Sequence, residues 1–138
     1  MLDLTTEFGR RVERRLREEQ IIWLTTTGSD QTPQPRPVWF LWTGESFLIF
    51  SQPDAHKLRH IARNPRVALN LNADEEGGDV VVFTGEAEVV QGKAGEDEIK
   101  AYVEKYVEGM KRNHMSPEMF AQAAVVAVRV KPTGLRGQ

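Results

Sequence analysis

Short stretches in which apolar and polar side chains alternate, separated mostly by turns, constrain the fold of this sequence more than any other feature. A period of two is typical of β-strands, because successive side chains of a strand point to opposite faces of the sheet. The regular β-α alternation that a doubly wound parallel sheet requires is missing from this order of segments. The sequence therefore predicts six or so mainly antiparallel strands, at residues 20–27, 36–43, 46–51, 66–73, 80–92 and 123–131.

Helical segments accompany these strands. The clearest are residues 5–19 and 96–112, whose apolar side chains recur at intervals of three and four. A short helix lies between Pro53 and Pro65, and another opens at Ser116 as its N-cap. The predicted fold class is mainly β (α+β): a closed or partly closed antiparallel barrel of six to seven strands with flanking helices.

Length and composition narrow the organisation and the function. The 138 residues suit a single domain over 1–138, in which a helix at 5–19 precedes a barrel at 20–131. With no cysteine, disulfides and thiolate chemistry are excluded, and redox chemistry would need a bound cofactor. The charged N-terminal stretch and the lack of a long apolar segment predict a cytoplasmic protein without a membrane partner.

Nucleic-acid binding is favoured only by the arginines of the first helix. The formal charge of the chain is −2, whereas nucleic-acid binders usually carry a marked basic excess. Glutamates lie among these arginines at spacings that suit ion pairs along the helix. We therefore expect a solvated helix face and no nucleic-acid partner.

The motifs of common enzyme chemistries are missing. The sequence contains no G-x-G-x-x-G, no P-loop and no G-x-S-x-G nucleophile motif. His56 and His60 lie four residues apart on a predicted helix, a spacing that suits zinc, but no third ligand accompanies them. We therefore expect no metal site, and we assign no residue as a catalytic acid, base or nucleophile.

The segment SQPDAHKLRH, residues 51–60, is the strongest candidate for a binding site. Asp54 suits the N-cap of a helix that starts here. The free N–H groups of such a first turn attract anions; Lys57 adds a positive charge, as does His56 when protonated. From the residues alone, a solvated helix start explains the pattern equally well.

Arg36 is a second cationic candidate, in the segment PQPRPVWF. Pro35 and Pro37 stiffen its backbone, and neither can donate to a strand ladder. We therefore expect this strand end to be unpaired or bulged. Beside a basic helix start, it would form the rim of a cleft.

The words PRPVWF, FSQPDAHKLRHIARNPRVAL and GEAEVV carry a resemblance over roughly residues 5–137. Through them the sequence resembles the flavin/deazaflavin oxidoreductase superfamily, which has the split β-barrel fold of FMN-binding proteins and includes the pyridoxamine 5′-phosphate oxidase-like proteins. It is most similar to the actinobacterial branch that uses the deazaflavin coenzyme F(420).

The resemblance implies a homodimer with two cofactors in clefts at the subunit interface, and it implies that Lys57 holds the cofactor phosphate. The other cofactor-binding residues that it implies are Ser51, Gln52 and His56 near the phosphate, Arg36, Pro37 and Val38 beside the ring system or its linker, and Gly78 and Asp79 from the same or the partner subunit.

Two departures from the family pattern bear on the implied function. FMN-dependent relatives commonly carry Ser or Thr before a basic residue and the lysine, whereas Ala55 precedes His56 and Lys57 here, which favours the deazaflavin. The C-terminal Arg-rich, Trp-containing motif of true pyridoxamine phosphate oxidases is missing from PTGLRGQ, which argues against that substrate.

The function implied is hydride transfer between reduced coenzyme F(420) and a small organic acceptor. The cofactor carries such chemistry, so the absence of a catalytic residue is consistent with it. Two alternatives stay open: an FMN-dependent oxidase or reductase of the same fold, and a cofactor-binding protein without turnover.

Overall fold

Seven antiparallel strands form one curled sheet in the computed structural model, which describes residues 2–123 and 125–138. Their spatial order is β2-β1-β5-β6-β7-β4-β3, so that β2 and β3 end the sheet. The strands are β1 (Ile22–Thr27), β2 (Pro33–Val38), β3 (Leu41–Trp42), β4 (Phe47–Ser51), β5 (Arg66–Leu71), β6 (Val81–Val89) and β7 (Val126–Gly137).

Within the described residues, four helices flank the sheet, and side-chain caps mark the start of two of them. The side chain of Thr6 accepts a hydrogen bond from the N–H of Gly9 at 2.9 Å and caps the first helix. The predicted N-cap Ser116 is confirmed, since its hydroxyl accepts from the N–H of Met119 at 3.1 Å. The bounds are α1 (Glu7–Glu18), α2 (His56–Arg63), α3 (Glu96–Arg112) and α4 (Pro117–Gln122).

The hydrophobic core joins the sheet to the first helix. In β1 the alternation buries Ile22 and Leu24, which share one cluster with Val12 and Leu16 of α1. A second cluster joins α3 to α4 through aromatic side chains, among them Phe120. The predicted fold class, a mainly β antiparallel barrel of six to seven strands with flanking helices, is confirmed. None of the helices in residues 2–123 and 125–138 has the length and apolar character to cross a bilayer.

The single strand predicted at 36–43 is wrong, because the chain bends at Trp39 and Phe40 and forms β2 and β3 separately. Tyr106 of α3 explains the bend. Its hydroxyl accepts from the N–H of Phe40 at 2.8 Å and lies 2.9 Å from the carbonyl of the same residue. Both backbone groups of Phe40 thus bond to a side chain instead of a neighbouring strand.

The long pair of β6 and β7 contains an irregularity and corrects one expectation. Between Thr84 and Gly85 the register shifts, and a glycine inside a strand often marks such a bulge. The barrel end predicted at residue 131 comes too early, because the polar tail continues β7 to Gly137 and pairs there with Val81. Ala124, inside the predicted strand at 123–131, lies outside the described residues.

Candidate functional site

A cleft of about 640 Å³ lies between the start of α2 and the β1–β2 pair. Its size falls within the range of about 300–1,000 Å³ that is usual for small-molecule sites. We call it the α2 cleft. It is lined by Thr26, Gln34, Arg36, Pro37, Ala55, His56, Lys57 and His60.

Strand register brings the β1 and β2 side chains of the cleft to one face. Gln34 lies opposite Thr26, and Arg36 lies opposite Leu24. Directly opposed residues of an antiparallel pair point to the same side of the sheet. Gln34 and Arg36 therefore share the face that buries Leu24 and Thr26, but they are exposed where the cleft opens.

The expectation that the prolines leave the end of β2 unpaired or bulged is wrong. Pro33, Pro35 and Pro37 lie opposite Thr27, Thr25 and Trp23, and the pairing runs through the whole strand. The reason is that β2 ends the sheet, where a proline can turn its nitrogen away from the only neighbouring strand.

The start of α2 differs from the sequence expectation, because Asp54 is not its N-cap. Ala55 holds that position, and it offers no side-chain hydrogen bond to the helix. The N–H of Ala55 bonds to the carbonyl of Gln52 at 3.2 Å, which closes a turn ahead of the helix and delays its start by one residue. The first N–H groups of α2, on His56 and Lys57, are thus left for a ligand.

Two cationic side chains, those of Lys57 and Arg36, face each other across the cleft. The pKa of Lys57 is lowered, first by burial of its ammonium group and then by the positive charge of Arg36. None of the eight residues that line the cleft is acidic. A partly buried ammonium and an exposed guanidinium in a lining without acidic residues suit a ligand with negative charge.

The two histidines of the cleft each bond through Nδ1 to a fixed neighbour. His60 Nδ1 lies 2.8 Å from the hydroxyl of Thr26, and His56 Nδ1 lies 2.6 Å from the guanidinium of Arg59. Within the described residues, no group of three or more His, Cys, Asp or Glu side chains is placed to hold a metal ion. The histidines therefore act as hydrogen-bonding groups of the cleft.

Among the residues that the sequence analysis assigned to a cofactor, four line the α2 cleft: Arg36, Pro37, His56 and Lys57. Three others, Val38, Ser51 and Gln52, lie within four positions of a lining residue in sequence but outside the lining. Val38 is buried in the core, the hydroxyl of Ser51 donates to the carbonyl of Gln52 at 3.1 Å, and the side chain of Gln52 is exposed.

Gly78 and Asp79 lie away from the cleft of their own chain. The carboxylate of Asp79 lies 3.3 Å from the guanidinium of Arg15. The same guanidinium donates to the carbonyl of Asn72, which follows the strand that pairs with the first residues of β1. Thr26 lies at the other end of β1, about 13 Å further along.

Thr26, Gln34 and His60 line the cleft without having been assigned to it from sequence. Thr26 occurs in a run of three threonines, which β-propensity alone explains. Its position opposite Gln34 depends on register, and its contact with His60 depends on how α2 packs on β1. The spacing of His60, one turn after His56, was the only local signal that both histidines face one site.

In a comparison with protein families, the family described as pyridoxamine 5′-phosphate oxidase matches residues 8–138. No curated protein matches the sequence.

Solved structures share the fold over most of their length. The chain is similar to a structure named F420 reductase, with 25% identity, coverage of 91% of this chain and 96% of the other, and a TM-score of 0.65. It is also similar to the heme storage protein HutZ from Vibrio cholerae, with 16% identity, coverage of 96% and 95%, and a TM-score of 0.67. A FAD-binding protein from Mesorhizobium loti gives 17% identity, coverage of 91% and 88%, and a TM-score of 0.67. These likenesses establish the split-barrel fold, while the three names differ in the bound group.

Proposed function

Since the chain belongs to the pyridoxamine 5′-phosphate oxidase family, we propose that it is an oxidoreductase that binds coenzyme F(420) in the α2 cleft. There it transfers a hydride between the reduced deazaflavin and a small organic acceptor. The observation that carries this proposal is that the cations Arg36 and Lys57 lie in one cleft, none of whose lining residues is acidic. The similarity to a structure named F420 reductase, at 25% identity, supports the choice of the deazaflavin.

The residues of the cleft fit the phosphate of such a cofactor. The N–H groups of the first turn of α2 and the ammonium of Lys57 bind the phosphate oxygens. Arg36, which β2 presents on the opposite wall, supplies a second cation, and Pro37 offers an apolar edge to the ring system. When bound, the deazaflavin supplies the hydride chemistry, and the chain supplies binding and orientation.

The proposal includes a homodimer in which each cleft is completed by the other chain. β2 ends the sheet, and five of its six residues are exposed. A second copy laid against this strand would narrow the open side of the α2 cleft. Gly78 and Asp79 of the partner subunit would then contribute to the site that the same residues do not reach in their own chain.

Light scattering of the purified protein measures this assembly. We expect a mass twice that of one chain, with or without cofactor. A monomer at micromolar concentration would contradict the shared cleft, while leaving cofactor binding to the titrations below. The cytoplasmic location expected from the sequence stays a prediction.

Fluorescence titration with coenzyme F(420), run in parallel with FMN and hemin, tests the cofactor. We expect the wild-type protein to bind F(420) most tightly. Lys57→Ala should weaken this binding by about 10- to 100-fold, the usual range for losing one hydrogen bond to a charged group. Arg63→Ala is the matched control, because it removes a cation from the same helix outside the cleft.

The outcomes separate the candidate functions. Tighter binding of FMN or hemin would replace the deazaflavin, and unchanged F(420) affinity in Lys57→Ala would overturn the site. Turnover is tested with reduced F(420) and a panel of quinones and enones. Tight binding without reduction of any acceptor would favour a cofactor carrier.

A further inference from the structure

Thr26 is a polar residue in a position that its strand otherwise fills with apolar side chains. It follows Ile22 and Leu24 on the buried face of β1 and is itself only 2% exposed. Its hydroxyl lies 2.8 Å from Nδ1 of His60, and it makes no other hydrogen bond among the described residues. The pair joins the barrel wall to α2 at the cleft.

This contact fixes which nitrogen of His60 is left for a ligand. A neutral imidazole has one nitrogen that donates and one that accepts. In the tautomer that we assign to His60, the ring proton is on Nε2 and Nδ1 accepts from the hydroxyl of Thr26, which makes no other hydrogen bond within the described residues. Nε2 is on the side of the ring away from Thr26, and His60 lines the cleft. The ring therefore offers an N–H donor there.

The charges around His60 make this donor suitable for an anion. Lys57 on the same helix and Arg36 on β2 line the cleft, and Arg59 on α2 is turned to His56. Asp30, in the loop between β1 and β2, is an acidic residue near His60 that does not line the cleft. Its carboxylate accepts from the N–H of Thr32 at 3.0 Å, within its own loop.

We propose that His60 is a ligand-binding residue, which donates a hydrogen bond from Nε2 to the anionic group of the cofactor, and that Thr26 is the residue that positions it. The inference rests on the proposed function and adds to it a neutral donor beside the two cations. A hydrogen bond at a fixed angle selects the geometry of the anion, which point charges alone do not.

Titration of His60 and Thr26 variants with F(420) and FMN measures the two roles. His60→Leu should weaken binding of whichever of the two cofactors the wild-type protein binds by about tenfold or more. His60→Gln should retain most of the affinity, because the amide nitrogen of glutamine can replace Nε2 as donor. Thr26→Val should weaken binding, and Thr26→Ser, which keeps the hydroxyl, should restore it. Thermal unfolding shows whether each variant is folded. If Thr26→Val does not fold, the comparison of His60→Leu with His60→Gln tests the proposal.

The tautomer is measured on the cofactor-free protein by long-range ¹H–¹⁵N NMR of the histidine rings. The chain has three histidines, and His60→Gln, His56→Gln and His114→Asn assign the signals. We expect the ring proton of His60 on Nε2 at neutral pH. In Thr26→Val the preference of this proton for Nε2 over Nδ1 should be lost.

Two failures are distinguishable. If the wild-type protein binds neither cofactor, the proposed function fails, and this inference fails with it. If the wild type binds but His60→Leu binds as tightly, or if the His60 proton lies on Nδ1, only the inference is overturned.

Discussion

Lys57 is the residue at which ligand binding and stability oppose each other. Its ammonium is half-buried and faces the guanidinium of Arg36, and both effects lower its pKa. When the pKa of an ammonium group is lowered in this way, its charged form is less stable in the folded protein than in the unfolded chain. Without a bound anion, the cleft therefore holds a charge that destabilises the fold.

Replacing Lys57 by methionine should raise the melting temperature of the cofactor-free protein while abolishing tight cofactor binding. Methionine keeps the length of the stem and removes the charge that Arg36 opposes. The gain should shrink in high salt, because the side chain of Lys57 is only partly buried and ions can screen its charge. Calorimetry at low and high salt measures it.

Arg63→Met serves as the control for Lys57→Met. It removes a cation from the last turn of α2, where the helix dipole favours positive charge. We expect no stabilisation in this variant. A lower melting temperature for Lys57→Met than for the wild type would show that the ammonium has a favourable partner in the free protein.

The cleft residues that could be predicted from sequence are the cations Arg36 and Lys57 and their chain neighbours Pro37 and His56. Lys57 and His56 lie at a helix start that Pro53 indicates, and Arg36 lies between two prolines. Thr26 is an uncharged β-branched residue, and its role depends on a contact with His60, 34 positions away. Contacts of this range follow from tertiary packing and leave no local pattern.

At the scale of elements, α3 determines how the sheet ends. Trp39 stacks on Tyr106 with ring centroids 4.4 Å apart and planes 4° from parallel. The hydroxyl of Tyr106 bonds to the backbone of Phe40 and lies 2.8 Å from the carbonyl of Gln20. Through these contacts α3 holds the bend between β2 and β3 against the segment that precedes β1.

Tyr106→Phe should destabilise the fold by about 1–3 kcal/mol, because it leaves the N–H of the buried Phe40 without its partner. Urea unfolding measures the loss. Tyr102→Phe is the matched control on the same helix, since the hydroxyl of Tyr102 makes no hydrogen bond within residues 2–123 and 125–138. Equal stability of Tyr106→Phe and Tyr102→Phe would contradict this role of the bend.

The elements show which sequence signals suffice. α3 lies at the predicted residues 96–112, because five turns of one apolar period outweigh any other interpretation. The end of β7 does not follow from the sequence, since its last residues, PTGLRG, contain a proline and two glycines and are poor strand formers. They form a strand because β6 offers nine residues for pairing, with Phe83 opposite Leu135.

Across the whole molecule, two kinds of buried group act in opposite directions on stability as pH rises. Burial of Lys105 between α3 and the sheet lowers its pKa from 10.5 to about 8. Burial raises the pKa values of Tyr102 and Tyr106 above their usual 10.0. The ammonium of Lys105 donates to the carbonyl of Phe40 at 2.8 Å and lies 3.6 Å from the centroid of the Phe40 ring.

The signs follow from counting bound protons. Between about pH 8 and 10.5 the unfolded chain keeps a proton on Lys105 that the folded protein has released, so the free energy of unfolding rises with pH. Above pH 10 the unfolded tyrosines lose protons that the folded protein keeps, so the free energy of unfolding falls. Lys57, with its lowered pKa, adds to the rise.

We therefore expect the free energy of unfolding to increase from about pH 8 towards pH 10 and to decrease at higher pH. Urea unfolding at half-unit intervals from pH 7 to 11 measures this profile. Lys105→Met should flatten the rise and leave the decline, because methionine fills the same space without titrating. It also leaves the carbonyl of Phe40 without this donor, so its stability at pH 7 is not the readout. An unchanged slope between pH 8 and 10 in Lys105→Met would show that Lys105 keeps its proton over this range in the folded protein.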